Sequence, residues 1–556
     1  MIDIVIIMME NINMLTEVND LTIINTEMRM RSPRLSLEDL AGREYLDAVC
    51  RAASFIFGSS YGELRDASVR KVDFYPRGLQ ERLDALLQET GHVVAAGLDG
   101  HVPGAPTSSF ASAFKAKAAP LAALGFFRVG EDGKLYLISK SEHYHASLGH
   151  NIPAFGLLEI ARSLGITNAT HNNTRGHLVR LLERELVRVV NGIGAGDGAA
   201  LDAAIAAQDG RVLNRVINLQ SGSVAVEAAV KMMLARFYRL EAHSPAPKYE
   251  GRIPVFLVMG DGQGGRQANY HGTSITTQTF RGLWPELNST VEASGAYRVR
   301  TVRINDLDDF SRVLAEEEKD GRKVAGFIHE IILMNYGGIK LEPEYLKGAY
   351  RLAHAADVPV CVDEIQSCLW YEGLFLFKEY GLDPDFVSVG KGFSGGLYAA
   401  SRIITTPAMD DLNQFGALVT NGQEELAALS YLITMRLASE NEEYIRKIGE
   451  YYEAELRKLA ASNDRTILRI EGSRHLSAVF FRTSEDAIRF CSILSSGGID
   501  ISAQNYKADC PPSALTKLPL TTSRAMVDLI IRRMAEALEL MGRGIAGDGI
   551  AGDRPE

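Results

Sequence analysis

The chain predicts an α/β fold: a mostly parallel sheet covered by helices on both faces, with a smaller α+β unit beside it. Three observations carry this. Between residues 212 and 404, near-continuous apolar runs alternate with helical periodicity, and strands apolar on both faces belong to covered parallel sheets. From 423 to 541 the pattern is helical, with one short strand-like run, LSAVFFR (476–482). Composition sets the class: 556 residues, 46% hydrophobic and 23% charged, match an ordinary globular chain and exclude wholesale disorder, a collagen-like repeat and a disulfide scaffold.

The elements follow in order. The opening MIDIVIIMMENINML is apolar, but Asp3 and Glu10 interrupt it and no basic region precedes it. It therefore reads as an edge strand, or as sequence upstream of a later start methionine, rather than as a signal peptide. Residues 36–120 read as mostly helical, as in LQERLDALLQE (79–89), and HVPGAPTSS (101–109) is the candidate linker. KLYLIS (134–139) is extended, and HLVRLLERELVRVV (177–190) is a long helix that runs into NGIGAGDG (191–198). Strands are expected at 215–219, 253–259, 324–329, 358–363, 386–389 and 398–404, with helices at 223–241, 306–318, 343–356 and 374–381 between them. GIAGDGIAGDRPE (544–556) duplicates GIAGD and reads as a disordered tail. The resulting division is a mostly helical extension (1–124), the first part of a small domain (125–190), a large domain (191–422), the C-terminal part of the small domain (423–541) and the tail (542–556).

Charge and cysteine content narrow the setting. The net charge is −11, so no global basic field invites nucleic acid. No run reaches the roughly 18 apolar residues that cross a bilayer, so no membrane partner is expected. Five cysteines without a CxxC pair fit a reduced, cytoplasmic compartment. No metal site is expected.

Ligands of a doubly wound sheet bind beyond the carboxyl ends of its strands, and three such ends are chemically loaded. After RVINL come Ser221, Gly222 and Ser223 at the start of a helix; Ser223 is the expected N-cap and Gly222 allows close approach. This is either a phosphate site or a plain helix cap. After VPVCV come Asp363, Glu364, Ile365 and Gln366. A carboxylate there needs a cation or donor, which a protonated ring nitrogen, a salt bridge or a metal would supply. Lys391 follows FVSV between two glycines. Most lysines are solvated surface charges, but one emerging into a cleft can be desolvated into a Schiff-base nucleophile. Together, a phosphate cradle, an acid and a lysine 28 residues beyond it are what pyridoxal phosphate chemistry requires. A competing motif, GDGQGG (260–265), satisfies GxGxxG. About 0.4 such matches arise by chance at this glycine content and no clean helix follows, so it reads as the loop leading to Tyr270.

From about Gly125 to Ala537 the chain resembles class III pyridoxal-phosphate aminotransferases, the group with ornithine, 4-aminobutyrate and diaminopelargonate enzymes. The resemblance rests on LGHNIP (148–153), SGSVAVEAA (221–229), Tyr270-His271-Gly272, Asp363 to Gln366 and PDFVSVGKGFSGGLYAA (384–400). It implies fold type I with a seven-stranded sheet, pyridoxal 5'-phosphate as cofactor, and a homodimer with shared active sites. It also implies roles. Ser221, Gly222 and Ser223 hold the phosphate and Tyr270 stacks on the ring. Asp363 pairs with the ring nitrogen and Gln366 meets the ring hydroxyl. Lys391 is the Schiff-base residue and proton shuttle, Glu330 is the active-site glutamate, and Thr420 reaches the phosphate in the neighbouring subunit. The implied activity is amino-group transfer from a small amine or amino acid to an oxo acid.

The chain departs from the family pattern on the substrate side. Asn335-Tyr336-Gly337-Gly338 lacks a second acid, Thr273 stands where an arginine commonly follows His-Gly, and ALTKLPLTT (514–522) offers Lys517 where an arginine is common. A lysine is a point charge without a bidentate fork. Two alternatives therefore accompany the transferase reading. One is a racemase, epimerase, decarboxylase or carbon–carbon bond-forming enzyme using the same cofactor; the other is a non-catalytic relative that docks a partner through its extension.

Overall fold

The structure, a computed structural model, describes residues 29–543 apart from 101, 114, 141–144, 209, 400 and 508. The apolar opening and the GIAGD tail lie outside the described residues.

The extension is helical: Leu37–Ala41, Arg43–Phe57, Tyr61–Val69 and α1 (Arg77–Leu86). Ser36 starts the first helix with a capping box, its hydroxyl accepting the Asp39 N–H while the Asp39 carboxylate accepts the Ser36 N–H. Arg43–Phe57 buries Leu46, Cys50 and Ala53, and α1 buries Leu79 and Leu83, each set on one helical face. These side chains join the same core cluster as the C-terminal helices. Polar contacts add a clasp. Asn441 accepts the Arg31 N–H at 2.7 Å and donates to the Arg31 carbonyl at 3.0 Å, and Tyr45 stacks on His177 at 4.2 Å. Residues 102–107 are exposed and irregular.

The expected long helix forms as α2 (His177–Val190). The first N–H groups of a helix lack partners within it. Here the buried Glu425 carboxylate accepts from Gly176, Leu178 and Val179 at 2.9, 3.0 and 3.4 Å.

The large sheet has seven strands: β1 (Arg215–Leu219), β2 (Ile253–Met259), β3 (Arg298–Val302), β4 (Arg322–His329), β5 (Val360–Asp363), β6 (Phe386–Val389) and β7 (Ser401–Thr405). Their order is β1-β7-β6-β5-β4-β2-β3. Every pairing is parallel except the two that β7 makes, with β6 and with β1. β7 is shorter than expected: Tyr398 and Ala399 precede it and belong to a cavity wall. The helix expected at 223–241 is α3 (Gly222–Ala235). The apolar pattern continues past Ala235, but Phe237 turns into the core and Tyr238 donates to the Ala296 carbonyl at 2.6 Å; these tertiary contacts override helix propensity.

The C-terminal part contains α4 (Glu425–Ser439), α5 (Glu442–Ser462), a helix over Ser484–Ser496 and α6 (Arg524–Gly542). It holds more strand than the single run expected. Ile467–Ser473, Leu476–Phe481, Ser513–Lys517 and Ala503–Gln504 form one four-stranded sheet. Ile499–Asp500 joins Leu135–Ile138, Phe127–Gly130 and Pro120–Leu124 in another. Two-residue strands are too short for periodicity to reveal. No helix among the described residues is long and apolar enough to cross a membrane.

Candidate active site

A cavity of about 420 Å³ opens at the carboxyl ends of β1, β4, β5 and β6. Ser221, Gly222, Ser223, Tyr270, Glu330, Asp363, Gln366 and Lys391 all line it. Thr420 does not; it is exposed on the surface.

The start of α3 forms one end. Ser221 is extended and occupies the N-cap position without a side-chain capping bond. This corrects the expectation for Ser223, which already lies inside the helix. Helical backbone begins at Gly222, where a Cβ would stand 2.3 Å from the Ile365 Cδ1; glycine thereby lets the helix start approach the strand end. The Ser223 hydroxyl instead accepts the Thr273 N–H at 2.9 Å. The leading N–H groups and helix dipole make this end a favourable place for an anion.

Asp363 ends β5 and is buried. One oxygen accepts from the Ser388 hydroxyl at 2.8 Å and the Ile365 N–H at 3.2 Å, and the other lies 3.0 Å from His271 Nδ1. His271 is also buried, and its Nε2 has no partner among the described residues. The carboxylate is thus fixed in orientation from both sides, while a cavity-lining imidazole keeps an unused nitrogen.

Lys391 follows β6 with φ 43°. Side chains rarely hold this left-handed backbone, and it costs of order 1–3 kcal/mol where surroundings impose it. The neighbouring Gly392 leaves no room for a side chain: its Cβ would meet Ser147 Cβ at 3.0 Å and the Trp370 ring at 3.2 Å. Burial pushes the Lys391 amine below its usual range, while the charges of Glu330 and Asp363 pull the other way. Glu330, just after β4, is only 2% exposed and its Oε2 has no partner among the described residues. Burial, then the Asp363 charge, raises its carboxyl well above the usual range, against Lys391, Lys517 and Lys507.

The substrate-side departures also have a structural outcome. Lys517 is fully buried with its amine 4.1 Å from the Trp370 ring centroid, and it does not line the cavity. Burial, then the charge of Lys391, drives its amine well below the usual range. Tyr336 accepts the Gly262 N–H at 2.9 Å, and the Gly337 N–H donates to Gln504 at 2.8 Å. The GDGQGG stretch is a loop closed on itself: Asp261 accepts the N–H groups of Gln263, Gly265 and Gln267 at 3.1, 2.7 and 3.0 Å. Those donors are committed, so the loop is not a phosphate cradle.

Several cavity residues escaped the sequence reading. His145 was not singled out at all, and Gln220, Leu397 and Tyr398 stood in quoted segments without a role; all four line the cavity from loops, where periodicity carries no signal. His271 was legible as part of Tyr-His-Gly, but its contact with Asp363 depends on two strand ends meeting. Among the described residues, no cluster of three or more His, Cys, Asp or Glu is arranged to hold a metal.

Three buried polar atoms around this cavity, Glu330 Oε2, Gln366 Oε1 and His271 Nε2, lack partners among the described residues. Each such atom costs about 1–3 kcal/mol if it stays unsatisfied. A flat, polar ligand with an anionic end suits the set: the anion at α3, polar ring substituents at Gln366, a basic ring nitrogen at Asp363 and an electrophile at Lys391. Pyridoxal phosphate has this layout, so the residues present fit it.

Comparison with known proteins agrees. The family described as "Aminotransferase class-III" matches residues 119–538. The putrescine aminotransferase of Pectobacterium atrosepticum is 25% identical over 326 residues, covering 57% of this chain and 64% of that protein. The mitochondrial ornithine aminotransferase of Rattus norvegicus is 27% identical over 296 residues, 51% of this chain and 61% of that one. The chain thus spans less than two thirds of the length of these curated relatives. Among solved structures, the ornithine aminotransferase of Toxoplasma gondii ME49 superimposes with a TM-score of 0.60 at 18% identity, covering 84% of this chain and 96% of that one; this likeness establishes the fold.

Proposed function

The chain belongs to the class-III aminotransferase family, and from that membership we propose that it moves an amino group from a small amine or amino acid to an oxo acid with pyridoxal 5'-phosphate. The observation that carries this reading is the convergence of Lys391, Asp363, Glu330 and the start of α3 on one cavity. When bound, the cofactor supplies an electrophilic aldehyde and an electron-withdrawing ring that accepts electrons from the substrate carbon. The chain's own residues do the rest. Ser221, Gly222 and Ser223 offer hydroxyl and N–H groups to the phosphate, and Tyr270 presents its ring to the pyridine. Asp363, held by Ser388 and His271, would keep the ring nitrogen protonated, and the unpartnered Gln366 Oε1 would accept from the ring hydroxyl. The Lys391 amine, lowered by burial, would hold the cofactor's aldehyde and, once released from it, would be the group that takes and returns a proton. Glu330, whose carboxyl burial raises, lines the same cavity as that amine.

On this reading 191–422 is the cofactor-binding unit, and 125–190 with 423–541 the smaller unit that closes on it. The relatives named for putrescine and ornithine support an aliphatic amine as donor. Lys517 is buried and does not line the cavity; Lys507 and Arg281, which lie near Glu330 and Tyr270 outside the lining, are the cations we assign to a substrate carboxylate. Burial and the Arg281 charge push the Lys507 amine down to about 8, and the Arg281 guanidinium lies 5.0 Å from the Tyr270 ring centroid. A homodimer completes the site: Thr420 is exposed, and so are the apolar Leu397 and Phe415, at 47% and 82%. Five free cysteines suit a reducing cytoplasm.

The test is reconstitution with pyridoxal phosphate. The wild-type protein should turn yellow, borohydride should fix the cofactor on Lys391, and donor plus acceptor should yield oxo acid and amino acid together. Lys391→Ala should lower kcat by at least about 10²–10⁴-fold. A protein that stays colourless with excess cofactor would sink the proposal. Deuterium exchange at the substrate carbon, or carbon dioxide release without paired products, would move the reaction to the racemase or decarboxylase class.

A further inference from the structure

One helix of the N-terminal extension ends in an exposed apolar tip. Helix Arg43–Phe57 buries Leu46, Cys50 and Ala53, and the next step of that spacing is Phe57. Phe55 and Ile56 fall off the buried stripe and are 90% and 70% exposed. Neither is on a frayed end. Gly58 closes the helix with φ 68°, its N–H donating to the Ser54 carbonyl at 3.0 Å. The Ser54 hydroxyl donates to the Ser59 carbonyl at 2.8 Å, and beyond the turn Tyr61 donates to Asp47. The tip is therefore an apolar shape already fixed in place, so covering it costs little ordering entropy.

The tip is continuous with the face that carries Thr420, Leu397 and Phe415. Phe57 lies against Gly165, where a Cβ would stand 2.5 Å from its ring. The loop after Gly165 reaches the segment before α4: Asn168 accepts the Leu426 N–H at 3.1 Å, Thr170 donates to the Gln423 carbonyl, and Gln414 donates to Asn173 at 3.3 Å. Exposed Phe415 and Thr420 stand in that segment. Arg162, three residues before Gly165, donates to the Tyr398 hydroxyl at 2.7 Å, next to Leu397. Residues 52–62, 163–174 and 412–423 contain no Asp, Glu, Lys or Arg, in a chain that is 23% charged. The bordering Arg51, Arg162 and Arg175 are each paired with an acid of their own chain. Depleted charge and protruding aromatics are the make-up of an interface centre, and exposed patches of this kind mark association sites. An uncharged face also meets a copy of itself without like charges opposing, as a two-fold contact requires.

We propose that the tip is a self-association surface. In the homodimer assigned above, on which this inference rests, Phe55 and Ile56 are buried against the second copy. They precede the segment 119–538 that matches the family, so the extension widens the subunit interface with residues of its own.

The test uses the full-length, cofactor-loaded protein. Sedimentation equilibrium should show a dimer, and Phe55→Ser combined with Ile56→Ser should raise its dissociation constant about tenfold or more. If the wild type stays dimeric at the lowest readable concentration, mixing it with fluorophore-labelled dimer gives the subunit exchange rate. The double variant should speed that exchange by a similar factor of about ten. Both side chains are mostly solvated within one subunit, so the variant should keep its visible cofactor band. Phe55→Ala, a milder change, should move both readouts in the same direction. Wild-type association and exchange in the double variant would overturn this proposal alone, leaving the tip to residues 1–28 or to a foreign protein. A wild type that is monomeric throughout would remove the homodimer itself and this inference with it.

Discussion

Glu364 shows how much one buried proton can matter in this fold. It stands beside Asp363 but does not line the cavity at the strand ends, accepting the Phe377 N–H at 2.6 Å and the Ser367 hydroxyl. Burial pushes its carboxyl up to about 7, the two hydrogen bonds and the Leu376 N–H opposing. An acid whose folded value exceeds its unfolded one, 4.5, takes up protons on folding. Its contribution to stability is complete below about pH 4.5 and disappears as pH rises through about 7. The melting temperature measured from pH 4.5 to 7.5 should therefore fall less steeply in Glu364→Gln than in the wild type; identical slopes would show that Glu364 ionises normally. Asp363 and Glu364 are neighbours in sequence and unlike in surroundings. Residue pattern placed both at a strand end, and only the family resemblance singled out Asp363; the cavity is lined by Asp363 and not by Glu364, which the pattern itself does not foretell. That depends on Ser388 and His271 reaching Asp363 from β6 and from the loop after β2.

At the scale of elements, the strands and helices with clear periodicity were legible. His177–Val190 and Phe386–Val389 form where the pattern places them, because their apolar spacing and flanking residues agree. Helix ends were less legible, since partners remote in sequence decide them. The start of α2 is the clearest instance: its cap is Glu425, 248 positions after His177, and no local signal announces it. The buried carboxylate meets three N–H groups at the positive end of the helix, a charge-assisted arrangement. Glu425→Gln should lower stability by about 1–3 kcal/mol, read as a drop in melting temperature with the visible cofactor band retained. A change confined to the cofactor band, with an unshifted melt, would mean that the cap contributes nothing to α2. The α3 start shows the same limit in reverse. Ser221, Gly222 and Ser223 were recognisable as a helix start, but the cap falls on Ser221, and the Ile365 side chain that leaves no room for a Cβ at Gly222 is remote in sequence.

For the molecule as a whole, the extension is the feature whose place the sequence could not give. Its helices carry no motif, and only packing shows that Leu37, Leu46, Phe74, Leu79 and Leu83 are buried in the core they share with α5 and α6. Each such side chain is worth about 1.5–3 kcal/mol in burial, and its removal also uncovers the surfaces it shields. A protein lacking residues 1–118 should therefore be largely insoluble, or should melt well below the full chain. Soluble yield and thermal unfolding of 119–543 measure this; an unchanged melt would reduce the extension to a surface appendage. The position of the cavity at the strand ends, by contrast, was legible at this scale because doubly wound sheets bind ligands there.

The strand order also bears on synthesis at the ribosome. β1 pairs with β7 alone, Arg215 with Thr405 and Leu219 with Ser401. The sheet edge begun at residue 215 thus has to wait for some 180 to 190 further residues before its hydrogen bonds can close. At 5–20 residues per second that interval is roughly 10–40 s. Throughout it, β1 is an open edge of the kind that recruits foreign strands. Slow translation lengthens that exposure, and cold or rare-codon expression would penalise this protein through an unpaired edge long before the strand leading to Lys391 is in place.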